Sequence, residues 1–481
     1  MMLVSTLVCV GALLQLGAAK VQFLGMAISG GDFGCQIDGS CPTGSSQLPL
    51  SSFGMGGGDG EGQMKHFAQT NGMNMFRLPI SWQFLVDNNL GGNLDAGNFG
   101  KFDKLVQTCL ATGAYCMIDI HNFARWNGGI IGQGGPTDEQ FVSLWRQLAS
   151  KYANSEKMVF ELMNEPHHLD VKIWAATCQK VVTAIREAGA VNQMILLPGS
   201  NFDSAATLVT PAGGAEELMA LTNPDGTTDN LLLDVHKYLD NDNSGTHEEC
   251  VTDNIEAFQQ VADFLRKTGR KGLVSETGAP PNAPECMARF CAQNAFINRN
   301  SDVFVGLVGW AAGSFDTSYL LSMTPRKVNG RFENNALATE CFIGTWRETP
   351  EDIKPGSGNV VSNSTTTSTT TSPSNASTSS TGSVTNTPTG SSTVTSTADS
   401  TITTGTERVT SSGTSSGTAS EASPTTTEVL LTDPAAETGV GDSGGRTGGD
   451  GTVGSGVFPH GRPGYLASLL AMRINLGLGL R

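Results

Sequence analysis

Between residues 20 and 347 the sequence alternates eight times between a short apolar run and a following, more polar stretch. The runs are Val21–Ser29, Met73–Ile80, Tyr115–His121, Met158–Glu165, Gln193–Ser200, Asn230–Tyr238, Gly272–Gly278 and Phe304–Gly313. Strands that are apolar nearly throughout must be covered on both faces, which a parallel sheet flanked by helices provides. Helical spacing fills several of the gaps, at Phe102–Thr112, Glu139–Tyr152, Ile173–Ala188 and Ile255–Thr268. Eight strand–helix alternations in about 330 residues predict an α/β fold, a (β/α)8 barrel of the TIM type. The count carries more weight than any single run, because a short apolar run is ambiguous by itself.

Polar residues gather where these runs finish. The second ends around Arg77, the third at Asp119-Ile120-His121-Asn122 and the fourth at Asn164-Glu165-Pro166. The sixth ends at His236-Lys237-Tyr238, the seventh at Ser275-Glu276-Thr277 and the eighth around Trp310. In a barrel these ends share one face, where enzymes of this architecture build their sites. One such residue is ordinarily a cap or a satisfied polar group; six ends at once point to a site. Glu165 and Glu276 are two carboxylates placed to face each other across a cleft. Glycoside hydrolysis needs such a pair: one acid protonates the leaving oxygen, the other attacks or activates water. Arg77 is the cation that would keep a nucleophilic Glu276 ionised, and Tyr238 can donate to the same carboxylate. The acid, Glu165, needs a raised pKa, which partial burial beside another carboxylate would supply. Asn164 suits a sugar hydroxyl, and His121 and His236 suit orienting the carboxylates or binding sugar. Trp310, with less support Trp82 and Trp126, offers a flat face for a pyranose; the plain alternative for each is core packing.

Composition sets the surroundings. A formal charge of −16 disfavours nucleic acid, whose phosphates need a basic face. Residues 1–19 run apolar to Gly17-Ala18-Ala19, as a secretory signal does, and no other stretch is long and apolar enough to span a membrane. Export permits disulfides. With Cys9 lost in the signal, nine cysteines remain: Cys35 lies near Cys41 and Cys109 near Cys116, while Cys250, Cys286, Cys291 and Cys341 can make two longer bridges. Cys178, in an amphipathic stretch, is left over as a buried thiol. Zinc is the rival reading of the cysteines, but no paired CxxC is present.

The folded domain is expected over 20–347. From Ser362 to Ser400, 27 of 39 residues are Ser or Thr, and both N-x-S/T sequons, Asn363 and Asn375, fall there. Such a segment buries too little apolar surface to offset the entropy of ordering it. Residues 348–455 therefore read as a disordered, O-glycosylated stalk. Residues 456–481 form a mildly apolar tail of unknown role, in which Arg473 and Asn475 interrupt the run that a glycolipid-anchor signal would need. The location implied is extracellular, with anchored display the minority alternative.

The segments Phe76-Arg77-Leu78-Pro79, Asp119-Ile120-His121-Asn122, Asn164-Glu165-Pro166, His236-Lys237-Tyr238 and Glu276-Thr277-Gly278 resemble the strand-end motifs of glycoside hydrolase family 5. The longer runs Asn88–Asp95, Ala124–Pro136 and Asp234–His247 are similar to fungal secreted endo-β-1,4-glucanases of that family, and the match extends from about Val21 to Trp346. The resemblance implies retaining hydrolysis of a β-glucan polysaccharide, with Glu165 as acid/base and Glu276 as nucleophile. Arg77, His121, Asn164, His236, Tyr238 and Trp310 would support them. It further implies the pairs Cys35–Cys41, Cys109–Cys116, Cys250–Cys286 and Cys291–Cys341. The two-carboxylate mechanism requires no metal or organic cofactor, and the chain is expected to act as a monomer. Ala279-Pro280-Pro281 departs from relatives that tend to carry glycines there, and no cysteine-paired cellulose-binding module follows Cys341. The rival substrates are mannan and xyloglucan. The rival classes are a non-catalytic carbohydrate-binding protein and a metal-dependent hydrolase using His121 and His236.

Overall fold

In the computed structural model, which describes residues 20–52 and 57–348, eight parallel strands close into a barrel. The leader expected at 1–19, and the stalk and tail expected beyond 348, lie outside the described residues. The strands are β1 (Phe23–Ser29), β2 (Met75–Ile80), β3 (Tyr115–Ile120), β4 (Met158–Glu161), β5 (Met194–Leu197), β6 (Leu231–His236), β7 (Gly272–Thr277) and β8 (Phe304–Gly313). Each pairs with its sequence neighbours, and β1 pairs with β8 from Phe23 opposite Gly306 to Ser29 opposite Gly313, which closes the ring. The α/β barrel expected from the eightfold alternation is the observed architecture.

Helices follow the strands and cover the outside. The long ones are Ala96–Ala111, Asp138–Tyr152, Val171–Glu187, Ile255–Thr268 and Pro284–Arg299. Their starts are written in the sequence. Asp95 and Asp170 accept backbone N–H groups of the first turn, and Thr137 and Gln140 form a reciprocal capping box. Between helices and strands lies the main core, built from outward-facing strand residues such as Phe76, Ile118, Phe160 and Leu233 against Phe102, Trp145, Val181 and Phe258. Burying each such side chain contributes roughly 1.5–3 kcal/mol.

A second cluster fills the barrel itself. It takes one residue from every strand: Phe23, Met75, Met117, Val159, Leu196, Leu232, Leu273 and Val308. This apolar plug decides where the site can be. Side chains two residues apart on a strand point the same way, so the next inward positions are Arg77, Asp119, Glu161, Asp234, Ser275 and Trp310. The interior changes from hydrocarbon to charge within one step along the strands.

Three boundaries differ from the sequence reading. Arg77 is not at the end of its strand but the third residue of β2, inside the barrel. Trp310 is likewise the seventh of the ten residues of β8. β4 stops at Glu161, four residues short of Glu165. Beyond it the Asn164 N–H still reaches the Ile120 carbonyl at 2.9 Å, after which Glu165 turns into a left-handed conformation with φ 45°.

Disulfides join Cys35–Cys41, Cys109–Cys116, Cys250–Cys286 and Cys291–Cys341. Cys178 is buried and unpaired, and burial pushes its thiol pKa well up. The last described helix docks on the start of the barrel: Trp346 Nε1 donates to the Val21 carbonyl at 3.0 Å, and Lys20 lies 3.7 Å from the Trp346 ring centroid. Among the described residues no helix is long and apolar enough to cross a membrane.

Candidate active site

Arg77 organises the charged layer. Its Nε and Nη2 donate to the two oxygens of Glu161 at 2.7 and 2.5 Å, Nη2 also reaches Asn164 Oδ1 at 2.8 Å and Asp119 Oδ2 at 2.9 Å, and Nη1 donates to Glu276 Oε2 at 2.5 Å. Burial opposes the guanidinium charge, but Asp119, Glu161 and Glu276 outweigh it and raise its pKa well above the usual value. Burial likewise opposes ionisation of Asp119, yet Arg77 and His121 draw its pKa below the ordinary carboxylate range. For Glu161, burial and the Asp119 and Asp234 charges outweigh the pull of Arg77 and raise the pKa well above the ordinary carboxylate range.

Glu276 reaches this guanidinium because β7 is irregular. The β6–β7 register runs Val235 opposite Val274 and then His236 opposite Glu276, so Ser275 is an extra residue. Strict alternation from Leu273 would turn Glu276 outward; the bulge lets Ser275 and Glu276 both face in. Ser275 Oγ donates to Asp234, and Glu276 Oε1 accepts the Tyr238 hydroxyl at 2.6 Å. The following Gly278 keeps β7 close to β8, since a Cβ there would lie 2.4 Å from the Trp310 carbonyl oxygen. Glu276 thus has a cation on one oxygen and a phenol on the other.

Glu165 has different surroundings. Its Oε1 meets His236 Nδ1 at 3.0 Å, and its backbone N–H donates to Asp203 Oδ2 at 3.1 Å. A left-handed non-glycine residue carries strain of about 1–3 kcal/mol, and the Asp203 bond helps to hold it. Burial raises the Glu165 pKa to about 7 against the pull of His121 and Arg77. Burial is the main cause, and the charge of a second carboxylate, Asp119, adds to it, as expected; the group in hydrogen-bond contact is the His236 ring. One oxygen of Glu165, one of Glu276 and a His236 nitrogen all lie within 4.8 Å of one another.

The remaining sequence candidates divide. His121 Nδ1 pairs with Asp119 Oδ2 at 2.7 Å, and its ring stacks on Trp310 with centroids 5.5 Å apart. Trp310 Nε1 donates to the Tyr319 hydroxyl at 3.0 Å. Asn164 Nδ2 is buried without a hydrogen-bond partner among the described residues. Trp82 does not offer a sugar-stacking face: it is fully buried, edge-on to Trp126 at 5.3 Å and beside Phe141. Trp126 is only partly covered.

Four residues escaped the sequence reading as contributors: Glu161, Asp203, Asp234 and Tyr319. Glu161 and Asp234 sit inside apolar runs, two residues after plug positions, and only the plug reveals which way they face. Asp203 and Tyr319 lie in loops, where no periodicity points at the site. Two further groups have metal-like spacing, Glu161–Asp234–His236 inside the barrel and Asp240–Asp242–His247 near the surface. In the latter, Asp240 Oδ2 already accepts Ser244 Oγ and the Thr246 N–H.

The arrangement sets one carboxylate between a cation and a phenol and another, with a raised pKa, across a short gap, which suits the pair of carboxyl groups that glycosidic bond cleavage requires. Comparison with known proteins agrees. The family model for cellulase (glycosyl hydrolase family 5) matches residues 38–316. The chain is 53% identical over 328 residues to endoglucanase EG-II of Hypocrea jecorina, covering 68% of this chain and 78% of that one. It is 44% identical over 306 residues to endoglucanase 1 of Saitozyma flava, covering 63% and 84%. The crystal structure of Cel5A (EG2) from Hypocrea jecorina superposes with a TM-score of 0.65 at 52% identity, covering 67% of this chain and 98% of that one. With its barrel, its paired carboxylates and these relatives, the chain belongs to glycosyl hydrolase family 5 and is a glycoside hydrolase of the endoglucanase kind.

Proposed function

We propose that the protein is a secreted endo-β-1,4-glucanase that cleaves internal bonds of cellulose-like chains with retention of configuration. Glu276 attacks the anomeric carbon while the Glu165 carboxylic acid gives its proton to the departing glycosidic oxygen. The C–O bond to the leaving chain breaks, and a glycosyl ester forms on Glu276. Glu165, now ionised, takes a proton from water, whose oxygen attacks the same carbon and releases Glu276. The observation that carries this reading is the pair of unlike carboxylates, Glu276 held by Arg77 and Tyr238, and Glu165 at about 7, with oxygens within 4.8 Å. Retention calls for carboxyl groups about 5–5.5 Å apart, and inversion for about 6.5–9.5 Å to admit a water between them. Asn164 Nδ2 is the donor offered to a sugar hydroxyl, and Trp310 the platform for the sugar ring beside the cleaved bond. Secretion rests on the leader-like 1–19 and the four disulfides, which suit an oxidising compartment.

The test is proton NMR of newly formed reducing ends during cellopentaose cleavage, with Glu276→Ala alongside. Early β-anomer that disappears in the variant is expected. Early α-anomer would mean inversion and would remove Glu276 as nucleophile, and inert cellopentaose beside cleaved mannan or xyloglucan would change the substrate.

A further inference from the structure

His236 has two ring nitrogens, and only one is accounted for. Nδ1 faces Glu165 Oε1, while Nε2 is buried with no hydrogen-bond partner among the described residues. The nearest acceptor paired with it, Asp234 Oδ1, is 4.0 Å away, too far for a direct bond. Asp234 Oδ2 is buried without a partner as well, whereas Oδ1 takes the Ser275 hydroxyl. Glu161 completes the group: one oxygen from each carboxylate and a His236 nitrogen lie mutually within 4.8 Å, and all three residues are fully buried. Three polar atoms sharing one water at about 2.8 Å, in roughly tetrahedral directions, stand about 4.6 Å apart. Buried polar atoms left unpaired in this way are characteristically bridged by internal water.

We propose that a single ordered water binds between His236 Nε2, Asp234 and Glu161, and that Asp234 acts through it as a positioning residue for Glu165. The water gives its two hydrogens to the two carboxylates, so its oxygen accepts from His236. A neutral imidazole carries one N–H. With that proton on Nε2, Nδ1 is an acceptor, and Glu165 must present its own O–H. The water therefore favours the protonated, proton-donating form of Glu165. The titratable and charged groups around this set are Arg77 from β2, Asp119 from β3 with His121 just after it, Glu161 from β4, Asp203 after β5, and Glu276 from β7. Burial lowers the His236 pKa despite Glu276 and Asp234, which keeps the ring neutral. Burial also lifts Asp234 to about 6, below the value of about 7 for Glu165.

The inference rests on Glu165 being the acid/base, and the experiments separate the two. In full-length Asp234→Asn the amide N–H donates to the water, which turns a hydrogen toward Nε2. The His236 proton then moves to Nδ1 and stabilises ionised Glu165. The basic limb of kcat/KM for cellopentaose should shift down by about one pH unit, 1 unit being ~1.4 kcal/mol of differential interaction. A limb that stays in place or moves up overturns the proposal. Two measurements on the wild type need no variant. Nitrogen-15 NMR should find the His236 proton on Nε2 near pH 6.5, and a high-resolution crystal structure should place a water within hydrogen-bond distance of all three residues. A proton on Nδ1, an empty site, or an anomalous peak there after soaking with manganese alone would each refute the water. If Glu165→Ala leaves the basic limb of the profile where it was, the acid/base reading fails instead, while the tautomer and the density still judge the water.

Discussion

Asp119, Glu161 and Glu276 all lean on one guanidinium, so Arg77 has two roles that a single substitution would expose together. Arg77→Met should lower unfolding stability by about 3–5 kcal/mol, because it leaves buried carboxylates without their cation; urea midpoints would measure it. Activity should fall further than stability alone explains, since Glu276 loses the guanidinium that donates to its Oε2. Glu165 makes the second prediction. As a proton donor at about 7, it should give a kcat/KM profile that declines as pH rises through that value. Glu165→Gln should remove the limb and about 10²–10⁴-fold of the rate on natural chains, the usual contribution of a positioned acid. Glu165 and Glu276 were legible in the sequence because each lies at or beside the end of an apolar run, and Arg77 because it is the one charge inside the second run. The same reasoning could not reach Glu161, whose inward direction depends on Val159 belonging to the plug, nor Asp203, which acts on Glu165 through a backbone N–H.

At the level of elements, position along the chain was more legible than orientation. The run at Phe304–Gly313 and the helix at Ile255–Thr268 end where the hydrophobic pattern ends. The fourth run was read too long, because Leu162 and Met163 are apolar for the outer core rather than for the ladder. The bulge in β7 has no sequence mark at all: Ser275 fits a regular strand, and the register shift appears only against β6 and β8. The disulfides make a prediction at this scale. Cys291–Cys341 closes a separation of 50 residues and Cys35–Cys41 one of 6. On chain-entropy grounds, removing the first pair should cost about 4 kcal/mol and the second about 2. Calorimetry of the two double-Ala variants checks the order, and equal losses would show native strain outweighing loop length.

For the molecule as a whole, the buried charges set how stability varies with pH. Glu165 at about 7 and Asp234 at about 6, with Asp203 also raised by burial, bind protons in the folded state at pH values where the unfolded chain has released them. Their contribution therefore falls as pH rises toward those values. His167, lowered by burial to about 4, and His236, lowered as well, act in the opposite sense between about pH 4 and their unfolded value near 6.5. The carboxylates outnumber them and extend to higher pH, so the melting temperature should be higher at pH 5 than at pH 7.5. A melting temperature that climbs over this interval would show the histidines dominating.

Cys178 gives access to that landscape. It is the single unpaired thiol among the described residues, fully enclosed in the helix Val171–Glu187 against the β-barrel, and burial suppresses its thiolate. An alkylating reagent can reach it only when that region opens, so the labelling rate is a clock for opening rather than for reactivity. Run at several pH values, this native thiol would time the excursions of the barrel wall that adjoins the Glu165 loop, with no probe introduced.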